Sequence, residues 1–311
     1  MLVLGQAEVR RLLNLDNLID ALSDAFIEVS AGRTSVPPRI AAFVPDHGLL
    51  AAMPGYVQGV LETKLVSVFP HNHDHGLPSH QALIVLFDPN TGSPLALMDG
   101  THITAMRTAA AAALATRVLA RGDSRILAVI GAGVQGASHL DALRRVRDFS
   151  EVRVASRNPD NARVLAAATG TIPVASIEEA VRGADVVCCC TDAAEPVLAA
   201  AWLKSGAHVT SVGANPQGPE LDAATLRAGL LVVESRAAFL PPPAGSAELQ
   251  GMDSEAAVEL GEVISGSRPG RTSASQVTVY KSMGHAAEDA VAAALVLRQA
   301  QLQGAGTEVA L

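Results

Sequence analysis

Residues 131–136, Gly131-Ala132-Gly133-Val134-Gln135-Gly136, fit the pattern G-x-G-x-x-G. The apolar run RILAVIGAG leads into them and the helix-compatible stretch VQGASHLDALRRVRD follows. In that strand–loop–helix setting the glycines can bind a dinucleotide. Gly131 permits the tight turn, Gly133 lets the backbone approach a pyrophosphate, and Gly136 lets helix and strand pack closely. The helix N-terminus then offers N–H groups and the positive end of its dipole to the phosphates. Where an NAD site usually carries Asp or Glu for the ribose 2′-hydroxyl, this chain has Ser156, Arg157 and Asn158. A carboxylate would repel a 2′-phosphate and a guanidinium can bind one in bidentate fashion, which favours NADP(H) and leaves NAD(H) possible.

A second candidate is FPHNHDHGLPSH, residues 69–80, with four of the nine histidines. His71, His73 and His75 alternate as they would on a metal-binding strand. Pro70, Asn72, Asp74, Gly76 and Pro78 break that alternation, and no Cys or Glu cluster supports it. The stretch reads as a polar loop, and no metal is expected. Three isolated cations complete the inventory. Lys64 sits in the strand-like LETKLVSVF, where a charge is costly unless paired. Arg107 opens an alanine-rich helix, where it could simply cap or pair, and Arg39 follows two prolines.

These residues need a scaffold, and the chain supplies an α/β one. It has 311 residues, 49% hydrophobic and 17% charged, enough for two folded domains. A net charge of −8 without a basic run argues against nucleic acid or an anionic membrane as partner. No apolar run approaches the roughly 18 residues of a membrane span. The N-terminus lacks the marks of a secretory signal, so a cytoplasmic location is expected. Cys188, Cys189 and Cys190 are neighbours in ADVVCCCTDA and read as small apolar residues of a buried strand.

Between 119 and 289, continuous β-branched runs alternate with helical stretches, the pattern of a parallel sheet covered on both faces. This is the expected Rossmann-type domain. Residues 1–118 hold short strands, a hairpin around Asp88–Gly92 and the helix THITAMRTAAAAALATRVLAR, which suggests a mixed α+β domain. The apolar helix GHAAEDAVAAALVLRQAQLQG needs a surface to cover, so 290–311 is assigned back to the first domain. FLPPPAGSAELQ (239–250) is the expected irregular excursion.

The segments ETKLVSVFPHNHDHGLPSHQALIVLFDPNTGSPLALMDGTHITAMRTAAAAALATRVLAR, VIGAGVQG, SVGANPQGPELD and VTVYKSMGHAAEDAVAAA occur in the order found in one family. The chain resembles the ornithine cyclodeaminase/μ-crystallin family through nearly its whole length. The pieces MRTAAAA and TVYKSMG are more specific than the glycine loop. The resemblance implies a Rossmann domain joined to a substrate-binding and dimerisation domain, in a homodimer. It implies that Lys64, Arg107 and Arg39 hold a substrate carboxylate, with Arg107 between substrate and nicotinamide. It assigns cofactor contacts to Ser79, His80, Arg107, Ala132, Val134, Gln135, Ser156, Arg157, Thr191, Val212 and Ser282, alongside the glycines and Asn158.

One position departs from the family. Its cyclodeaminase and alanine dehydrogenase members carry aspartate where this chain has Asn215. Aspartate can act as a base; asparagine can orient a group but cannot take its proton. The expectation is therefore reduction of a preformed cyclic imino acid. Candidates are Δ1-pyrroline-2-carboxylate, giving L-proline, or a related ketimine such as Δ1-piperideine-2-carboxylate, with Asn215 orienting the imine nitrogen or a water. The alternatives are ornithine cyclodeamination or an alanine-dehydrogenase-like oxidation, with Glu220 or Asp222 as substitute base, or a μ-crystallin-like ligand-binding role without catalysis.

Overall fold

The computed structural model describes residues 1–310 apart from Ala214, Pro216 and Gln217, and for His73 the backbone alone. The chain divides into two compact units: unit 1 is Met1–Arg107 with His285–Leu311, and unit 2 is Thr108–Gly284. Sequence reading placed the boundaries at 118/119 and 289/290. The structure places them at 107/108 and 284/285. The first falls inside a helix whose alanines run through both sides, so composition does not mark it.

Unit 1 begins with β1 (Leu2–Leu4), α1 (Gln6–Leu12), α2 (Leu15–Ser30), β2 (Ile40–Val44), β3 (Gly48–Val57) and β4 (Val60–Val68). β5 (His80–Phe87), β6 (Pro94–Asp99) and α3 (Gly100–Leu119) follow. Unit 2 contains β7 (Ile126–Ile130), α4 (Val134–Val146), β8 (Glu151–Ala155), α5 (Pro159–Thr169), β9 (Ile172–Pro173), α6 (Ile177–Val181) and β10 (Val186–Cys189). It continues with β11 (His208–Ser211), α7 (Ala223–Leu226), β12 (Leu230–Val233), β13 (Val258–Glu259), α8 (Leu260–Ser265) and β14 (Thr278–Lys281). The chain then returns to unit 1 as α9 (Ala286–Gln303) and β15 (Thr307–Glu308).

The unit 1 sheet has the order β15-β1-β6-β5-β4-β3-β2, antiparallel except for the β1–β6 pair. The β5–β6 hairpin turns at Asp88, whose carboxylate accepts from Asn90 N–H at 2.7 Å. α2 buries Leu15, Leu18, Ile19, Leu22, Ala25 and Phe26, the i, i+3, i+4 stripe that fixes its inner face. α9 is buried almost all round from Ala286 to Ala293 and packs on β3, β4, α1 and α2. Small alanine side chains let a helix lie that closely on a sheet.

The unit 2 sheet is parallel throughout, in the order β13-β12-β14-β11-β10-β7-β8-β9. From β7 the chain winds outward through β8 to β9, then crosses back to β10 and β11. The strand order therefore reverses between β7 and β10, and that switch point is where such sheets bind nucleotides. β14, late in the chain, inserts between β11 and β12. The strands lie in the core: Leu127, Val129, Ile130, Val186, Val187 and Val209 are fully buried. Cys188, Cys189 and Cys190 are buried free thiols of the same core, and burial raises the pKa of Cys189.

Candidate active site

In unit 2 the glycine loop closes β7 at the switch point. Gly131 has φ +112°, and a Cβ there would lie 2.5 Å from the Cys190 carbonyl. At Gly136 a Cβ would lie 2.2 Å from the Gly131 carbonyl, so α4 can start this close to the strand only with glycine. Gly133 differs: nothing lies within 4 Å of its would-be Cβ, which leaves room for a phosphate. Ala132 is half-buried beside it, and Val134, at the start of α4, keeps 72% of its surface exposed. The Gln135 side-chain oxygen is buried without a hydrogen-bond partner among the described residues. Open space at one glycine, an uncovered valine and an unmatched acceptor fit a dinucleotide at the loop.

Past β8, Ser156 is half-buried and Asn158 caps α5, accepting from Asp160 N–H at 2.9 Å. Arg157 is exposed, and no ion pair or hydrogen bond engages its side chain among the described residues.

A buried network binds the strand ends together. Glu220 accepts from Thr191 N–H (2.6 Å), Thr191 Oγ1 (2.7 Å), Ser211 Oγ (2.7 Å) and Gly213 N–H (2.8 Å). Lys281 Nζ donates to Ser211 Oγ at 3.1 Å and to the Gly213 carbonyl at 2.5 Å, and pairs with Glu248. Glu248 in turn accepts from Leu221 N–H, so the irregular segment 239–250 anchors this corner. Val212 N–H reaches the Cys189 carbonyl at 3.1 Å, and buried Ser282 donates its N–H to the Ser211 carbonyl at 2.9 Å. Asn215 donates to the Asp192 carbonyl at 3.2 Å.

Unit 1 holds a different chemistry. Along β4 the inward positions are Glu62, Lys64 and Val66, so two charged residues occupy the face that alternation reserves for apolar ones. Their counterparts come from the start of α9. Lys64 Nζ lies 2.7 Å from Asp289 Oδ2, Arg107 Nε donates to Asp289 Oδ1 at 3.0 Å, and Arg107 Nη1 to Glu288 Oε2 at 2.7 Å. Glu288 also accepts from His285 N–H at 3.1 Å, closing the capping box of the helix. Half-buried Arg39 lies within electrostatic reach of Lys64 and His285.

Burial shapes the titration of this cluster. It pulls the Lys64 ammonium down to about 8, with Arg107 adding repulsion. It pulls His285 down to about 4, so this imidazole is neutral at physiological pH. Burial alone would raise Asp289, but Arg107 and Lys64 outweigh it and hold the carboxylate below its ordinary value. Glu288 is raised by burial despite its arginine. Glu62 is pushed to about 9 by burial and by Asp289.

Lys64 and Arg107 thus come together through Asp289, with Arg39 in reach, while Asn215 belongs to unit 2. Ser79 and His80 lie at the entry to β5 in unit 1, Ser79 Oγ 3.4 Å from His80 Nδ1. The histidine-rich stretch forms a 3-10 turn over Pro70–His75, not a strand, which removes the one-face alternation. The side chain of His73 lies outside the described set. Sequence reading missed Glu62, Glu288, Asp289, His285, Lys281 and Glu248. The available signal was the one that singled out Lys64: a charge on an apolar face, here within HAAEDAVAAALVL.

A nucleotide-type parallel sheet joined in sequence to an α+β unit with a buried cation–carboxylate cluster describes a class of cofactor-dependent enzyme. The chain belongs to the ornithine cyclodeaminase/mu-crystallin family, whose model matches residues 1–304. It is 44% identical over 271 residues to the ketimine reductase mu-crystallin of Mus musculus, covering 85% of each chain. Its structure resembles that of Thermococcus litoralis Δ1-pyrroline-2-carboxylate reductase in complex with NADH and L-proline. There the TM-score is 0.93 at 38% identity, over 99% of this chain and 100% of that one. It also resembles an archaeal alanine dehydrogenase dimer with bound NAD, with TM-score 0.89, 32% identity, and 100% and 99% coverage.

Proposed function

We propose that this protein reduces a cyclic imino acid with NAD(P)H, taking Δ1-pyrroline-2-carboxylate to L-proline or a related ketimine such as Δ1-piperideine-2-carboxylate to its cyclic amino acid. The observation that carries this reading is the likeness, over nearly both whole chains, to the reductase complex with NADH and L-proline. When bound, the nicotinamide supplies the hydride. The protein's own residues hold and orient the substrate: Arg107 and Lys64, backed by Arg39, offer charge-assisted hydrogen bonds to one carboxylate. The carboxylates of Asp289 and Glu288 keep both cations oriented and compensated until the substrate arrives.

The state of the bases supports reduction over deamination or amino-acid oxidation. In the segment SVGANPQGPELD the carboxylates are Glu220 and Asp222. Glu220 is taken up by four donors, and Asp222 caps α7, accepting from Thr225 N–H at 2.7 Å. Neither is left to serve as base, and Asn215 cannot.

NADP(H) is our preferred cofactor, because Arg157 stands unengaged where NAD-specific sites place a carboxylate. Within the cofactor site we include Ser79, His80, Ala132, Val134, Gln135, Ser156, Asn158, Thr191, Val212 and Ser282. We read the protein as a cytoplasmic homodimer. Ile40 is 70% exposed, and Leu50, Leu65 and Leu83 also lie exposed on the same face of the sheet, an apolar surface suited to a second copy. No helix among the described residues is long and apolar enough to cross a membrane.

Oxidation of NADPH and NADH is measured over a panel of proline-ring, piperidine-ring and open-chain imines. Turnover of a cyclic imine is expected. Ammonia release from L-ornithine without net cofactor oxidation would establish the lyase instead.

A further inference from the structure

Thr191, just past β10, and Ser211 and Gly213, at the end of β11, meet on the buried carboxylate of Glu220. Its two oxygens divide the contacts. Oε1 accepts from Thr191 N–H at 2.6 Å and Thr191 Oγ1 at 2.7 Å. Oε2 accepts from Ser211 Oγ at 2.7 Å and Gly213 N–H at 2.8 Å. The carboxyl group stands where a side chain on residue 213 would be: a Cβ on Gly213 would lie 2.6 Å from Glu220 Cδ. Lys281 holds the same corner from β14, donating to Ser211 Oγ and to the Gly213 carbonyl. The ammonium takes a lone pair of Ser211 Oγ, so the hydroxyl hydrogen goes to Glu220. With its hydroxyl turned to Glu220, Thr191 presents its methyl to the glycine loop, where a Cβ on Gly131 would lie 3.3 Å from Thr191 Cγ2.

We propose that Glu220 is a positioning residue for the nicotinamide half of the cofactor. A doubly wound sheet takes a dinucleotide as two mononucleotides, one on each half of the sheet. Arg157, past the end of β8, belongs to the half that takes the adenosine ribose. The other half runs from β10 through β11 to β14, and Glu220 fixes the chain where the first two of these strands end. Among the described residues, the hydrogen bonds of its side chain all go to those two ends. Glu220 thus acts on the cofactor through Thr191 and the Val212–Gly213 backbone. Glutamine cannot replace it, because a hydroxyl can rotate away from a new donor and a peptide N–H cannot. Whichever way the amide of Glu220→Gln is turned, its NH2 faces the N–H of either Thr191 or Gly213, and one strand end is released. The proposal rests on the reading of the glycine loop as a dinucleotide site.

Calorimetric affinities for NADPH and for 2′,5′-ADP, which carries the adenosine half without the nicotinamide, test it without turnover. In Glu220→Gln, affinity for NADPH should fall at least about tenfold while that for 2′,5′-ADP stays within about twofold of the wild type. A Glu220 that merely stabilises unit 2 would weaken both ligands alike, and one with no bearing on the cofactor would weaken neither. Either result overturns the proposal. If Glu220→Gln does not fold, Ser211→Ala withdraws a single donor from Oε2, and the same split is expected with a loss for NADPH of about threefold or more. Equal losses, or none, overturn the proposal there too. Should the wild type prefer NADH, the pair NADH and 5′-AMP takes the place of the two probes. A wild type that binds neither dinucleotide nor fragment would sink the dinucleotide reading itself, and the proposal with it, before any variant is compared.

Discussion

Lys64 Nζ and Asp289 Oδ2 meet at 2.7 Å, with the two side chains 1% and 0% exposed. Removing one partner of such a pair leaves a buried charge uncompensated. Asp289→Asn is therefore expected to destabilise unit 1 by about 3–5 kcal/mol in denaturant unfolding. The exposed Arg33–Glu28 pair is the control, and Glu28→Gln should leave the midpoint in place. Equal effects at both sites would contradict the description of the cluster.

Lys64→Met should keep the fold better than Asp289→Asn, because a flexible apolar chain replaces the stem and its charge together. Its effect belongs to the substrate. Truncating one donor of a buried charged contact costs about 2–5 kcal/mol, so kcat/KM for the cyclic imine should fall on the order of 10²-fold or more. NADPH affinity, by fluorescence titration, should not move.

Two glycines of one loop should fail differently. Gly133→Ala meets no atom within 4 Å, so the melting temperature should hold while affinity for the dinucleotide drops at least tenfold. Gly136→Ala drives a methyl into the Gly131 carbonyl at 2.2 Å, and should lower both stability and affinity.

Arg157→Asp replaces a free guanidinium with a group that repels a 2′-phosphate and accepts from a ribose hydroxyl. The ratio of kcat/KM for NADPH over NADH should fall by about tenfold or more. An unchanged ratio would remove Arg157 from cofactor discrimination.

Buried histidines set the acid limit. Burial holds His139 at about 4, His208 at about 3 and His285 at about 4, all below their ordinary value near 6.5. Between those values and 6.5 the unfolded chain binds more protons than the folded one, so stability must fall as pH drops through that window. Glu62, raised to about 9, and Glu288, also raised by burial, work in the opposite sense above 4.5, but they are two groups against three. His139→Leu should flatten the acid-side slope of unfolding free energy by up to about 1.4 kcal/mol per pH unit, the contribution of one proton.

The sequence made some of this visible and hid the rest for physical reasons. Buried parallel strands are rich in β-branched and apolar residues, so β7, β8, β10, β11 and β12 could be read, and the roles of Gly131 and Gly136 follow from close contacts that only glycine permits. The late insertion of β14 between β11 and β12 could not be read, because long-range strand order leaves no local pattern. Lys64 was legible as a misplaced charge on a strand. Asp289 and Glu288 carry the same mark, yet in a helix buried all round no polar face exists against which they stand out. Glu62 was overlooked because a glutamate beside a lysine on a strand resembles an ordinary surface pair.

Unit 1 is written in two pieces with the whole of unit 2 between them, and the acids that neutralise its cations lie in the second piece. During synthesis, Lys64 and Arg107 leave the ribosome long before Glu288 and Asp289 do. Unit 2 is continuous and can fold as it emerges. The N-terminal sheet must wait, its charged face unmatched, until α9 arrives to cover it. Assembly of the substrate cluster is thus a late folding event, and a nascent chain arrested before residue 288 should hold a protease-resistant unit 2 alongside an N-terminal segment still open to cleavage.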